Sequence, residues 1–111
     1  MNVIIQKTIR TLGITGCYKG FRQISYAIEL AIVQRERLEA VVKEIYMETA
    51  SYFGCSWSTV ERNIRTVVAH AWQVNPDMIC KMAGYPLEHV PESSEFIEII
   101  SEYIIRSGQL R

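Results

Sequence analysis

Apolar residues recur along this chain at intervals of three and four, and nowhere do apolar and polar residues alternate long enough to build a half-buried strand. Such spacing stacks the apolar side chains on one face of a helix, so the chain is predicted to be all-α, its helices burying those faces against one another. Its 111 residues, 49% of them hydrophobic, suffice for one core and one domain. Six helices are expected. The first spans about Asn2 to Leu12, with Val3, Ile4, Ile9 and Leu12 inward, and Gly13 and Gly16 end it. The second, about Lys19 to Gln34, carries a stripe of Phe21, Ile24, Ala27, Ile28, Ala31 and Ile32. The third, about Glu36 to Phe53, is expected to be unbroken, with Leu38, Val41, Val42, Ile45, Tyr46, Thr49, Ala50 and Phe53 inward and Gly54 at its end. The fourth begins near Ser56 to Ser58 and reaches about Gln73, before Asn75-Pro76; Ser58-Thr-Val-Glu61 has capping-box form and Ser56 is a competing cap. A short fifth helix, about Asp77 to Ala83, stops at Gly84-Tyr85-Pro86, and Ser93 or Ser94 caps a sixth that reaches about Ser107-Gly108.

Twelve basic residues balance twelve acidic ones, so the net field argues for neither nucleic acid nor an anionic membrane, and any basic surface must be local. The charges are nevertheless segregated: nine basic and six acidic residues precede the break at Asn75, and three basic and six acidic residues follow it. No apolar run approaches the roughly 18 residues of a membrane span, and the start lacks a signal-peptide layout, so a cytoplasmic location is expected. Cys17, Cys55 and Cys80 lie far apart without CxxC spacing and read as reduced thiols used in packing. His70 and His89 read as surface histidines, and neither stands at metal-ligand spacing. Neither catalysis nor a metal or other cofactor is expected.

The stretch from Glu48 to Arg65 carries the functional signal. Ala50, Gly54, Val60 and Ile64 stand at the spacings of a helix-turn-helix. A small residue at 50 lets the second helix cross closely over the first, Gly54 can take the left-handed conformation that opens a sharp turn, and Val60 and Ile64 close the core between the two helices. At about 100° per residue, Trp57, Val60, Ile64, Val67, Val68 and Ala71 share the inner face of the fourth helix, which favours packing of Trp57 against the third helix. Ser58, Arg62, Arg65, Thr66, Ala69 and Gln73 lie opposite, with Glu61 on the shoulder. A small, polar and basic outer face near the N-terminal end is the part of a recognition helix that reaches base edges: arginine pairs with guanine, a carboxylate accepts from cytosine N4, and hydroxyls reach phosphates. The same residues also suit a solvated face in which Glu61 pairs with Arg65 one turn on.

The run Val60-Glu61-Arg62-Asn63-Ile64-Arg65 with Ala71-Trp72 resembles the DNA-binding effector domain of the stage-zero sporulation response regulators of Firmicutes. Ile14, Lys19-Gly20, Ala27-Ile28, Met82-Ala83-Gly84-Tyr85 and Ser93-Ser94-Glu95-Phe96-Ile97 extend the resemblance over about residues 3 to 106. It implies a six-helix domain whose third and fourth helices form the helix-turn-helix. It further implies binding to TGTCGAA-like promoter boxes, tandem copies head to tail, and a surface addressing the RNA polymerase sigma subunit. Glu61, Arg62 and Arg65 match the family's recognition motif and Ser58 a serine at the helix start; Ser56, Thr59 and Thr66 complete the set expected at DNA. Thr59 and Thr66 replace a usual Arg and His, which removes two phosphate contacts and predicts weaker binding with a shallower salt dependence. The family's receiver domain is not expected within 111 residues. The rival reading is a protein-interaction module, such as a receiverless antagonist pairing with a related regulator. On the last helix, Phe96, Ile99, Ile100, Tyr103 and Ile104 form the inner stripe; Ile97 and Ile105 fall outside it and predict weak self-association.

Overall fold

The structure is a computed structural model that describes residues 2–108, and among them the apolar spacing is realised as six α-helices. They are α1 (Asn2–Arg10), α2 (Gly20–Val33), α3 (Met47–Phe53), α4 (Trp57–Val74), α5 (Pro76–Ala83) and α6 (Ser93–Ser107). The central element is α2. It packs most extensively on α6 and α4, while α1 lies against α2 and α6, and α5 bridges α4 and α6. Ile24, Ala27, Ile28 and Ala31 of α2 are fully buried there with Ile64 and Ala71 of α4 and with Phe96, Ile100 and Ile104 of α6. Burying each large aliphatic side chain contributes about 1.5–3 kcal/mol, so this three-helix contact dominates the stability of the fold.

The third helix departs from its expected form. The chain leaves α2 through an extended Gln34, makes a 3₁₀ turn over Arg35–Ala40 and widens into a π turn over Val42–Tyr46 before α3 proper begins. The wider turn advances each residue by less than 100°, which resets the stripe: Ile45, Tyr46, Thr49 and Ala50 face the core, whereas Val42, expected inside, is 43% exposed. The Arg37 guanidinium donates to the Glu44 carbonyl at 2.7 Å and helps hold this turn.

Four further expectations are corrected. Val3 is 76% exposed, because α1 turns Ile5, Thr8 and Ile9 inward instead. Trp57 is 43% exposed and not packed in the core; it occupies the first turn of α4, beyond the end of the seven-residue α3. Ile97 is fully buried, so the apolar surface expected on α6 is reduced to the half-buried Ile105. The serines expected to cap α6 do not: Glu92 holds the N-cap position without a side-chain bond, and Ser93 is already in the first turn.

Candidate nucleic-acid interface

Two local devices set α4 in place. Gly54 ends α3 with φ +70°, a left-handed conformation that costs a residue with a Cβ roughly 1–2 kcal/mol. Ser56 then caps α4: its Oγ accepts from the Thr59 amide at 3.2 Å and contacts the hydroxyls of Ser58 at 3.1 Å and Thr59 at 2.9 Å. The competing box from Ser58 to Glu61 does not form, since Ser58 already lies within the helix. On the inner face Val60, Ile64, Val67, Val68 and Ala71 are buried, as the angular layout requires.

The outer face presents Ser58, Arg62, Arg65, Thr66, Ala69 and Gln73 to solvent. Among the described residues the Arg62 guanidinium has no hydrogen-bond or ion-pair partner, whereas Arg65 pairs with Glu61 at 3.2 Å. That pair is exposed on the arginine side and stabilises the helix by about 0.3–0.5 kcal/mol at most. Thr66 donates its hydroxyl to the Arg62 carbonyl at 3.1 Å. Of the seven residues assigned to DNA from sequence, Ser58, Arg62, Arg65 and Thr66 thus share one exposed surface, while the hydroxyls of Ser56 and Thr59 serve each other at the cap. Glu61 is half-buried: its Oε1 faces Arg65 and its Oε2 accepts from the Ser93 hydroxyl at 3.4 Å.

Tertiary contacts add residues that local reading missed. The start of α2 abuts the middle of α4 so closely that a Cβ on Gly20 would stand 2.6 Å from the Asn63 carbonyl and 2.5 Å from Val67 Cγ2. Asn63 donates from Nδ2 to Gln23 Oε1 at 3.1 Å, so the asparagine inside the recognition motif fastens α4 to α2. The Tyr18 and His70 rings, with centroids 4.7 Å apart, fasten the next turns, and His70 is half-buried there. The exposed Lys19 immediately precedes Gly20, where the start of α2 abuts α4. On the opposite flank lie Tyr46 and Ser93, which with Glu61 and Arg65 line a groove of about 550 Å³. Burial and, secondarily, the Glu61 charge push the Tyr46 phenol up to about 12, so it stays neutral at ordinary pH. These residues meet α4 from 15 to 52 positions away in the chain, and no short-range signal marks them.

Among the described residues no three His, Cys, Asp or Glu side chains cluster as a metal site would require, and no helix is long and apolar enough to cross a membrane. All three cysteines are free thiols; Cys55 and Cys80 are half-buried, but Cys17 is exposed, so packing does not account for it. Residues 5–104 match the family model described as "Sporulation initiation factor Spo0A C terminal".

Proposed function

Because the chain belongs to this family of sporulation-regulator effector domains, which bind DNA and are not enzymes, we propose that it reads promoter boxes with the outer face of α4. Arg62 carries the reading: it is exposed near the N-terminal end of α4, with its guanidinium unengaged among the described residues. A bidentate pair to guanine O6 and N7 needs such a side chain. Arg65 and Glu61 supply a second base-reading pair, Ser58 and Thr66 reach phosphate or sugar, and the amide-capping Ser56 with Thr59 holds the helix end that points at the duplex. Lys19 neutralises a flanking phosphate. TGTCGAA-like boxes are the proposed target. Tandem pairing of copies and contact with the RNA polymerase sigma subunit follow from the family resemblance.

Fluorescence anisotropy tests this with a duplex carrying two tandem TGTCGAA-like boxes, a scrambled duplex, and the wild-type and Arg62→Ala proteins. Wild type should prefer the boxed duplex. Arg62→Ala should lose about 1–3 kcal/mol of specific binding and relax discrimination at one base pair. Equal and weak binding to both duplexes, even at low salt, would instead support a domain that pairs with another regulator and uses the helix-turn-helix as scaffold.

A further inference from the structure

We infer that Ser93, in the first turn of α6, is a positioning residue that orients the Glu61 carboxylate and, through it, Arg65 for base reading. The inference rests on α4 being the reading helix and adds what selects the conformation of two of its side chains.

A carboxylate one turn from an arginine on an exposed helix face samples several rotamers, and the ion pair alone is too weak to select one. Glu61 is not in that situation. Its two oxygens are divided between two partners on different elements: Oε1 lies 3.2 Å from Arg65 Nη1 on α4, and Oε2 accepts from Ser93 Oγ at 3.4 Å. Ser93 is only 5% exposed and belongs to the buried face of α6, three residues before Phe96, which with Ile97 is fully buried and anchors that turn in the core. Its hydroxyl therefore has a fixed origin, which a surface serine would lack. Tyr46, 4% exposed, lines the same groove, and burial keeps its phenol protonated. The Ser93 hydroxyl engages Oε2 and leaves Oε1 to the guanidinium.

The arrangement has a consequence for specificity. A guanidinium tethered through one nitrogen keeps its other N–H groups directed away from the helix, and its approach to a base is restricted to the directions that Glu61 permits. Loss of the Ser93 hydroxyl frees the carboxylate to turn, so Arg65 reaches more than one base pair and discrimination falls. The α6 terminus thus takes part in base selection without touching DNA.

The test compares full-chain wild type, Ser93→Ala, Ser93→Thr, Arg62→Ala and Arg65→Ala in competition binding. The boxed duplex competes against a set of duplexes in which each box position is changed singly. Thermal unfolding is followed in parallel. Ser93→Ala should flatten preference by about fivefold at the base pair that Arg65→Ala also flattens, and not at the one lost in Arg62→Ala. Ser93→Thr, which keeps the hydroxyl, should restore it. A Ser93→Ala profile identical to wild type, with Arg65→Ala flattened, overturns the positioning role while leaving α4 as the reading helix. Uniform loss across all positions in Ser93→Ala, unrepaired in Ser93→Thr, also overturns it. Unchanged profiles in both arginine variants overturn the α4 reading itself, and the inference with it.

Discussion

Arg62 and Lys19 would act on DNA through different physics. The arginine sits on the outer face of α4 where a base edge can meet its planar fork, so its removal should change which sequence is preferred. The lysine is exposed just before α2, next to the glycine that abuts α4, and would act as a point charge on phosphate. Lys19→Ala should therefore weaken boxed and scrambled duplexes alike and reduce the slope of log K against log salt by about one; anisotropy titrations at several salt concentrations measure it. A buried residue gives a third expectation. The Thr49 hydroxyl lies fully buried in α3 with no hydrogen-bond partner among the described residues, which costs about 1–3 kcal/mol of desolvation. Thr49→Val keeps the shape and removes the polar atom, so it should raise the unfolding midpoint in calorimetry.

At the scale of elements, the helix-turn-helix is positioned by its neighbours as much as by its own turn. Glycine at position 20 allows α2 to approach the α4 backbone, and Gln23, Tyr18 and their partners Asn63 and His70 lock the pair together. Gly20→Ala would bring a methyl against the Asn63 carbonyl, an atom of rigid helix backbone that cannot swing aside. The expected result is a loss of about 1–3 kcal/mol in denaturant unfolding, despite the better helix propensity of alanine. The region before α3 shows the limit of periodicity. Its apolar spacing reads as a continuous helix, but the chain must reverse after α2 within a few residues, and the 3₁₀ and π turns accomplish this while still delivering Ile45, Thr49 and Ala50 to the core.

For the whole molecule, size and charge decide how it could sit on a promoter. The Cα radius of gyration is 12.7 Å, near the roughly 13 Å of one close-packed domain of this length, and the longest extent is 33 Å. A seven-base-pair box, as proposed, is about 24 Å long at 3.4 Å per step, so one domain would cover about one box and two tandem boxes would accommodate two copies. With no net charge to drive binding, local cations such as Arg62, Arg65 and Lys19 would have to supply the attraction, and copies on adjacent boxes would gain from touching. Of the two α6 residues expected at such a contact, Ile105 is half-buried and available, whereas Ile97 is fully buried. Ile105→Glu should reduce cooperativity on tandem boxes while leaving single-box affinity unchanged, as binding isotherms on one-box and two-box duplexes would reveal.

Spacing, caps and turn residues were enough to determine five of the six helices to within about two residues, the Gly54 turn, the inner stripe of α4 and the exposed Arg62 and Arg65. These features depend on interactions within one or two turns, which a sequence displays directly. The same local rules misplaced Val3, Trp57 and Ile97, whose burial depends on which elements cover them, and also Val42, turned outward by the π turn, and the cap of α6, which falls one residue before Ser93. Only the tertiary structure could show that Asn63 binds Gln23, or that Gly20 stands against the α4 backbone. Only the fold, likewise, brings Ser93 and Tyr46 to Glu61. Those meetings join residues 15 to 47 positions apart, and their geometry is set by how α2, α4 and α6 share one core, a property of the packed chain that no short segment contains.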